Sequence, residues 1–296
     1  MKNTRLILFA CVIILTVSCQ SNIYHESNIY YECYDLMDKN EYRKAIRCFN
    51  SKPIYKNNFY EFISQRGYCY HILHEYDSAI QDYKLALKDV PGDMFCTFNL
   101  GDIYFKQGNL MLAKQMFQQV YKSDNKYHNV NYNLGVIYFD EGKYDSAILS
   151  FDTEIKNNPN CAVCYFFKGQ TLGNIGKDED AIMVINKGLS LQKNAQAYFI
   201  LGTIYFDLAE YEKAIQYHSI SILMDSTDAE AFVKRSAAYG ILGYYNEALE
   251  DCNKALSIDS LYIDALVSRK IAFQMLNREK EYIADSLKII RLNKNH

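Results

Sequence analysis

Asn99-Leu100-Gly101-Asp102-Ile103-Tyr104-Phe105 and Asn133-Leu134-Gly135-Val136-Ile137-Tyr138-Phe139 are near copies of one heptapeptide, and Ile200-Leu201-Gly202-Thr203-Ile204-Tyr205-Phe206 is a third. The motif's glycine recurs as Gly67, Gly101, Gly135, Gly169 and Gly202, at spacings of 34, 34, 34 and 33 residues. The same step lands on Cys33 upstream and on Ser236 and Lys270 downstream. Counted from this anchor, other columns hold. Three residues on stand Leu36, Tyr70, Tyr104, Tyr138, Leu172, Tyr205, Tyr239 and Phe273. Twelve on stand Ala45, Ala79, Ala113, Ala147, Ala181, Ala214 and Ala248, and sixteen on Phe49, Tyr83, Phe117, Phe151, Ile185, His218 and Cys252. Apolar residues within each motif keep the spacing of a helix face. Gly108, Gly142, Gly176 and Gly243, seven after their anchors, read as the ends of first helices, where a left-handed residue is needed. Asn109, Asp145 and Asp178 just beyond are candidate caps for second helices.

The columns resemble the tetratricopeptide repeat, with its Leu-Gly-x-x-Tyr, Ala, aromatic and Pro pattern over 34 residues. The prolines at 91 and 159 fall where that pattern has them. The resemblance covers 26–296, in blocks 26–59, 60–93, 94–127, 128–161, 162–194, 195–228, 229–262 and 263–296, the last degenerate, as a capping repeat is. It implies an all-α protein, a right-handed α-solenoid of about eight helix pairs. A single pair cannot bury its apolar face alone, so stacked neighbours share one core.

The composition agrees. Of 296 residues, 49% are hydrophobic and 23% charged, which excludes wholesale disorder. Three prolines suit helices joined by short turns, and 27 tyrosines suit half-buried positions with a wet hydroxyl. A net charge of −3 argues against nucleic acid as a partner.

Residues 1–18 read as a leader: Lys2 and Arg5, then an apolar run from Leu6 to Val17 that is too short to span a bilayer. Leu15-Thr16-Val17-Ser18-Cys19 resembles a bacterial lipobox. That resemblance implies lipidation of Cys19, a tether over 19–25, and a protein anchored to a membrane of the cell envelope, the outer membrane first, facing the periplasm or the cell surface. The alternative is an ordinary signal peptide with an incidental cysteine. Loss of Lys2 and Arg5 with the leader takes the formal charge from −3 to −5.

No catalytic constellation stands out, and neither a cofactor nor a metal site is expected. Cys161 and Cys164 form a CxxC outside any βαβ frame and read as small residues at a repeat junction, with a disulfide or thiol exchange as alternatives. Without Cys11 and Cys19, seven cysteines remain, and the odd number argues against a disulfide framework. His71 and His74 read as solvated. The acidic run Asp178-Glu179-Asp180 fits the start of a second helix, where the helix dipole favours negative charge.

In tetratricopeptide arrays the first helices line a concave groove. The resemblance places its inward residues three before, one after and four after the anchor. The candidates for a partner-binding groove are Tyr30, Tyr34, Tyr68, Phe98, Asp102, Phe105, Tyr132, Phe139, Phe166, Gln170, Phe199 and Phe206. The lysines with which the family's chaperone-tail readers hold a terminal carboxylate are missing from these columns. The expected function is a non-enzymatic scaffold whose groove takes a segment of another protein during assembly of an envelope complex. A carbohydrate- or peptidoglycan-binding groove using the tyrosines is the alternative.

Overall fold

The computed structural model describes residues 31–51 and 59–294, so the leader, Cys19 and Tyr30 lie outside the described residues. Every regular element among them is a helix. Residues 31–38 (α1) are followed by α2 (Tyr42–Ser51), α3 (Phe59–Ile72), α4 (Tyr76–Asp89), α5 (Met94–Lys106), α6 (Leu110–Ser123), α7 (Val130–Asp140) and α8 (Tyr144–Asn157). Then come α9 (Ala162–Asn174), α10 (Asp178–Leu191), α11 (Ala195–Asp207), α12 (Tyr211–Met224), α13 (Ala229–Ile241), α14 (Tyr245–Ile258), α15 (Ile263–Met275) and α16 (Glu279–Lys294). The chain forms two compact units that divide after Leu134. In each, odd-numbered first helices pack on the second helices that follow them, as α3 does on α4 in the first unit and α11 on α12 in the second.

The glycine column has a steric cause. A Cβ on Gly101 would lie 2.8 Å from the Phe117 ring, one on Gly135 2.6 Å from Phe151, and one on Gly169 2.3 Å from Ile185. The anchor is empty so that the large residue sixteen on can fill the space. Where the anchor is Ser236, its partner shrinks to Cys252, whose sulfur lies 3.5 Å from the serine hydroxyl. The alanine column is buried throughout, from Ala45 to Ala248.

Each turn within a pair needs one left-handed residue. Gly108, Gly142, Gly176 and Gly243 supply it, and Asn40, His74, Ala209 and Asn277 adopt the same positive φ at the same place in the other pairs. Of the candidate caps, Asn109 accepts from the Leu112 N–H. Asp145 and Asp178 do not cap: they lie inside the first turns, and Lys143 and Lys177 occupy the cap positions without a side-chain capping bond. Negative charge there still complements the helix dipole.

A polar clasp recurs just before the anchor. Arg66 of α3 forks onto Asp82 of α4 at 2.8 and 2.7 Å and also donates to Asn50 of α2. Arg235 of α13 holds Asp251 of α14 and Ser219 of α12, and Arg269 of α15 holds Asp285 of α16 and Asn253 of α14, with the same sixteen-residue steps. Each arginine therefore ties its own pair together and ties it to the second helix before it.

The cysteines correct the expectation drawn from their odd number. Cys33 and Cys48 join α1 to α2, and Cys161 is bonded to Cys164. Cys69, Cys96 and Cys252 stay as buried thiols. Buried free cysteines behave as small hydrophobes, so an odd total forbids no pair.

Candidate functional site

The three predicted groove columns separate into different environments. The column three before the anchor mostly faces the second helix. In the first unit, the Phe98 ring lies 5.4 Å from Phe117 and is covered by Tyr127 and His128 at 5.6 and 5.5 Å. In the second, Phe199 packs on His218 at 5.4 Å. Phe166 is only 6% exposed, because the absent side chain of Gly188 leaves room for its ring. These aromatics hold pairs together, and Phe166 has almost no surface to offer a partner. Tyr132 is half-buried, and burial raises its hydroxyl pKa.

The other two columns are more open. Tyr34, half-buried, donates to Glu61 at 3.0 Å, and Tyr68 packs at 6.0 Å on Phe95. Phe105 and Gln170 are half-buried. Phe139 packs on Tyr144 and Phe167, and Phe206 on Tyr211.

In the first unit, Asp102 is already engaged. Its Oδ2 lies 3.0 Å from His71 Nε2 and 2.8 Å from Lys106 Nζ. Burial works to raise the carboxyl pKa, but the His71 and Lys106 contacts bring it below its usual value. His71 is thus not solvated, as its sequence position suggested. It is 5% exposed, with Nδ1 3.2 Å from Asn99 Oδ1. His74 is exposed as expected.

In the second unit, α11, α13 and α15 line a cavity of about 330 Å3. Thr203 and Phe206 contribute from α11, as their columns predicted, with Val233 and Ala237 of α13 and Val267 of α15. Asp207, Glu230 and Asp264 supply its carboxylates and Lys234 its ammonium. Tyr262 also lines it, its hydroxyl pKa raised by burial and then by Glu230, Asp264, Asp228 and Asp259. A second cavity of about 300 Å3 shares Ala237 and Ser268 with the first and is walled by Gly240, Ile241, Ile271 and Ala272. The three columns missed the acids because they stand five or six positions off the anchor, near helix ends, and missed Lys234 because it stands two before its anchor. A helical projection of α11, α13 and α15 side by side would have grouped Asp207, Glu230 and Asp264.

Among the described residues, no group of three or more His, Cys, Asp or Glu is placed to hold a metal ion, and no helix is long and apolar enough to cross a membrane. The Cys161–Cys164 pair sits at the N-terminal cap of α9 in an all-helical setting.

Tetratricopeptide repeat models match residues 98–160, 162–194, 195–217 and 229–260. The TPR repeat-containing protein MJ1428 of Methanocaldococcus jannaschii is 25% identical over 239 residues. The match covers 63% of this chain, which spans only 42% of that longer relative. Among solved structures, PilW, described as a widely conserved type IV pilus biogenesis factor, superposes with a TM-score of 0.61. The identity is 17%, covering 66% of this chain and 91% of PilW. YrrB, described as a TPR protein with an unusual peptide-binding site, gives a TM-score of 0.51 at 17% identity, covering 62% of this chain and 95% of that one. At these identities the structural likenesses speak for the fold.

Proposed function

The chain belongs to the tetratricopeptide repeat family, and we propose that it is a non-enzymatic scaffold of a bacterial envelope whose first-helix groove receives a segment of another protein. The observation that carries this reading is the cavity between α11, α13 and α15. It opens on first helices, and it sets apolar walls beside charged groups. A peptide-binding relative of the same fold supports the choice of ligand. Membrane attachment through a lipid on Cys19 belongs to the same proposal. The lipobox resemblance supports it, as do two disulfides, which persist in oxidising compartments. A pilus biogenesis factor among the structural neighbours agrees with a role in assembling an envelope complex.

The test is photo-crosslinking in the native host. A crosslinker at Thr203, in the cavity, should capture a defined protein. One at Leu223, 85% exposed on α12, should not. Capture at Leu223 with none at Thr203 would move the interface to the second helices. Cys19→Ala should release the chain from membranes; retention of that variant after leader cleavage would remove the lipid anchor from the proposal.

A further inference from the structure

We propose that the groove of the second unit selects a basic polypeptide segment that carries an apolar anchor residue. The inference rests on the scaffold reading and names the chemistry of its partner. Two adjoining hollows make up the groove, and they differ in character. The first carries Asp207, Glu230 and Asp264 against a single cation, Lys234. None of these three acids has an ion-pair partner among the described residues, in contrast to Asp102 of the first unit, which His71 and Lys106 neutralise. All three are exposed, and Lys234, one helical turn from Glu230, offsets only one of them, so the hollow keeps a net negative charge that is open to a basic ligand.

The second hollow is apolar. Ile241 and Ile271 stand 54% and 50% exposed on its walls, and a Cβ built on Gly240 meets nothing within 4 Å. Glycine in the last turn of α13 carries no side chain to pack. At Gly240 it leaves open room rather than allowing a close contact, so an incoming apolar side chain has a place to sit. The two hollows share Ala237 and Ser268, which makes the groove continuous along α13 and α15. Packed helices lie about 8–10 Å apart. An occupant crossing from α11 to α15 therefore spans about 20 Å, the reach of roughly six extended residues at about 3.3 Å each. That length suits a polypeptide better than a small molecule. Lysine or arginine side chains would face the carboxylates, and a leucine-sized side chain would fill the space beside Gly240.

The probe is a fluorescein-labelled twelve-residue peptide with three lysines and one leucine among serines and glycines. Two counterparts carry glutamate for lysine, or serine for leucine. Binding to the full chain is read by anisotropy at low and at high salt. The lysine–leucine peptide should bind, with an affinity that falls as salt rises, and the glutamate peptide should not. Glu230→Gln with Asp264→Asn should weaken binding about tenfold. Glu179→Gln with Asp180→Asn, the same change in charge on α10, should leave it unchanged. Gly240→Leu should block binding without loss of stability, because it fills open space and favours the helix. Equal binding of the glutamate peptide, or equal losses from the two charge-removing pairs, would overturn the proposal. So would undiminished binding to the Gly240→Leu chain. If crosslinking from Thr203 captures a protein whose contacting segment is acidic, the scaffold reading stands and this inference falls; if Thr203 captures nothing, the scaffold reading fails first.

Discussion

The pairs α11–α12 and α13–α14 are neighbours in the second unit with the same backbone plan, yet equivalent positions hold opposite chemistry. Before the anchor, the first has Leu201 and the second Arg235. Fifteen after it, the first has Tyr217 and the second Asp251, and sixteen after it the first has His218 and the second Cys252. In α13–α14 a charge is buried and forked onto its partner. In α11–α12 a neutral imidazole is fully buried, and neither ring nitrogen has a hydrogen-bond partner. One repeat scaffold thus tolerates polar groups inside in two ways, by pairing them or by keeping them uncharged. The two solutions should fail under different stresses.

Breaking the clasp should give the largest effect. Asp251→Ala leaves the half-buried Arg235 without its carboxylate, and uncompensated buried charges cost about 3–5 kcal/mol. With the Arg235 side chain 18% exposed, a loss of about 3 kcal/mol in urea denaturation is expected. Removing both partners should be far milder. Leu100 and Met116 stand at the same two positions in α5–α6, so Arg235→Leu with Asp251→Met copies a solution that the chain already uses. Burial pushes the Asp251 carboxyl above its usual pKa even under the arginine fork, while against its own burial the Arg235 guanidinium is still raised by the fork, so desolvation offsets part of the pair's attraction. The double variant should fall within about 1 kcal/mol of the parent. A double variant as unstable as Asp251→Ala would mean that the clasp itself fixes the packing of these helices.

Acid should single out the other pair. Burial, reinforced by Lys234 and Arg235, lowers the His218 pKa from 6.5 to about 4. Between these values the unfolded chain binds a proton that the folded chain refuses, so stability falls as pH drops below 6.5. From pH 7.5 to 5 the loss should be about 2 kcal/mol, since each pH unit below 6.5 in this window costs about 1.4 kcal/mol. His218→Phe restores the aromatic found at this position in Phe117 and Phe151 and should remove that part of the pH dependence. Equal acid sensitivity in the two chains would place the titrating group elsewhere.

How far these differences could be read in the sequence depends on the kind of contact behind them. The 34-residue columns carry the fold because each reflects a steric fact, as when Gly101 makes way for Phe117. The arginine clasps were equally present as a sixteen-residue step from Arg66 to Asp82, from Arg235 to Asp251 and from Arg269 to Asp285. A reading for apolar columns passes over them because they interrupt the pattern. The groove was harder. Its positions follow from the anchor, but whether an aromatic there faces outward depends on its neighbours. Phe166 turns inward because position 188 is a glycine, well along the next helix. The Cys33–Cys48 bond needed two helices to be placed side by side before the pairing was visible.

The turns should respond least to substitution. Gly243 ends α13 with φ 82°, whereas Ala209 holds the same place after α11 with φ 58°. Both turns make the same backbone bonds: Ala209 N–H donates to Phe206 O and Glu210 N–H to Tyr205 O, as Gly243 N–H does to Gly240 O and Tyr244 N–H to Tyr239 O. The geometry is therefore imposed by the repeat and not chosen by the residue. A left-handed conformation costs an L-residue with a Cβ roughly 1–2 kcal/mol. Glycine escapes that strain but loses more chain entropy on folding, by about 0.5–1 kcal/mol. The balance favours glycine, so Ala209→Gly should stabilise the chain by about 0.5–1 kcal/mol in urea denaturation. Ala209 is exposed, so lost packing should not mask the gain. Gly243→Ala should show the opposite change of similar size. If neither substitution moves the midpoint, the turns relax away from positive φ, and the conformational demand argued for this position throughout the repeats is wrong.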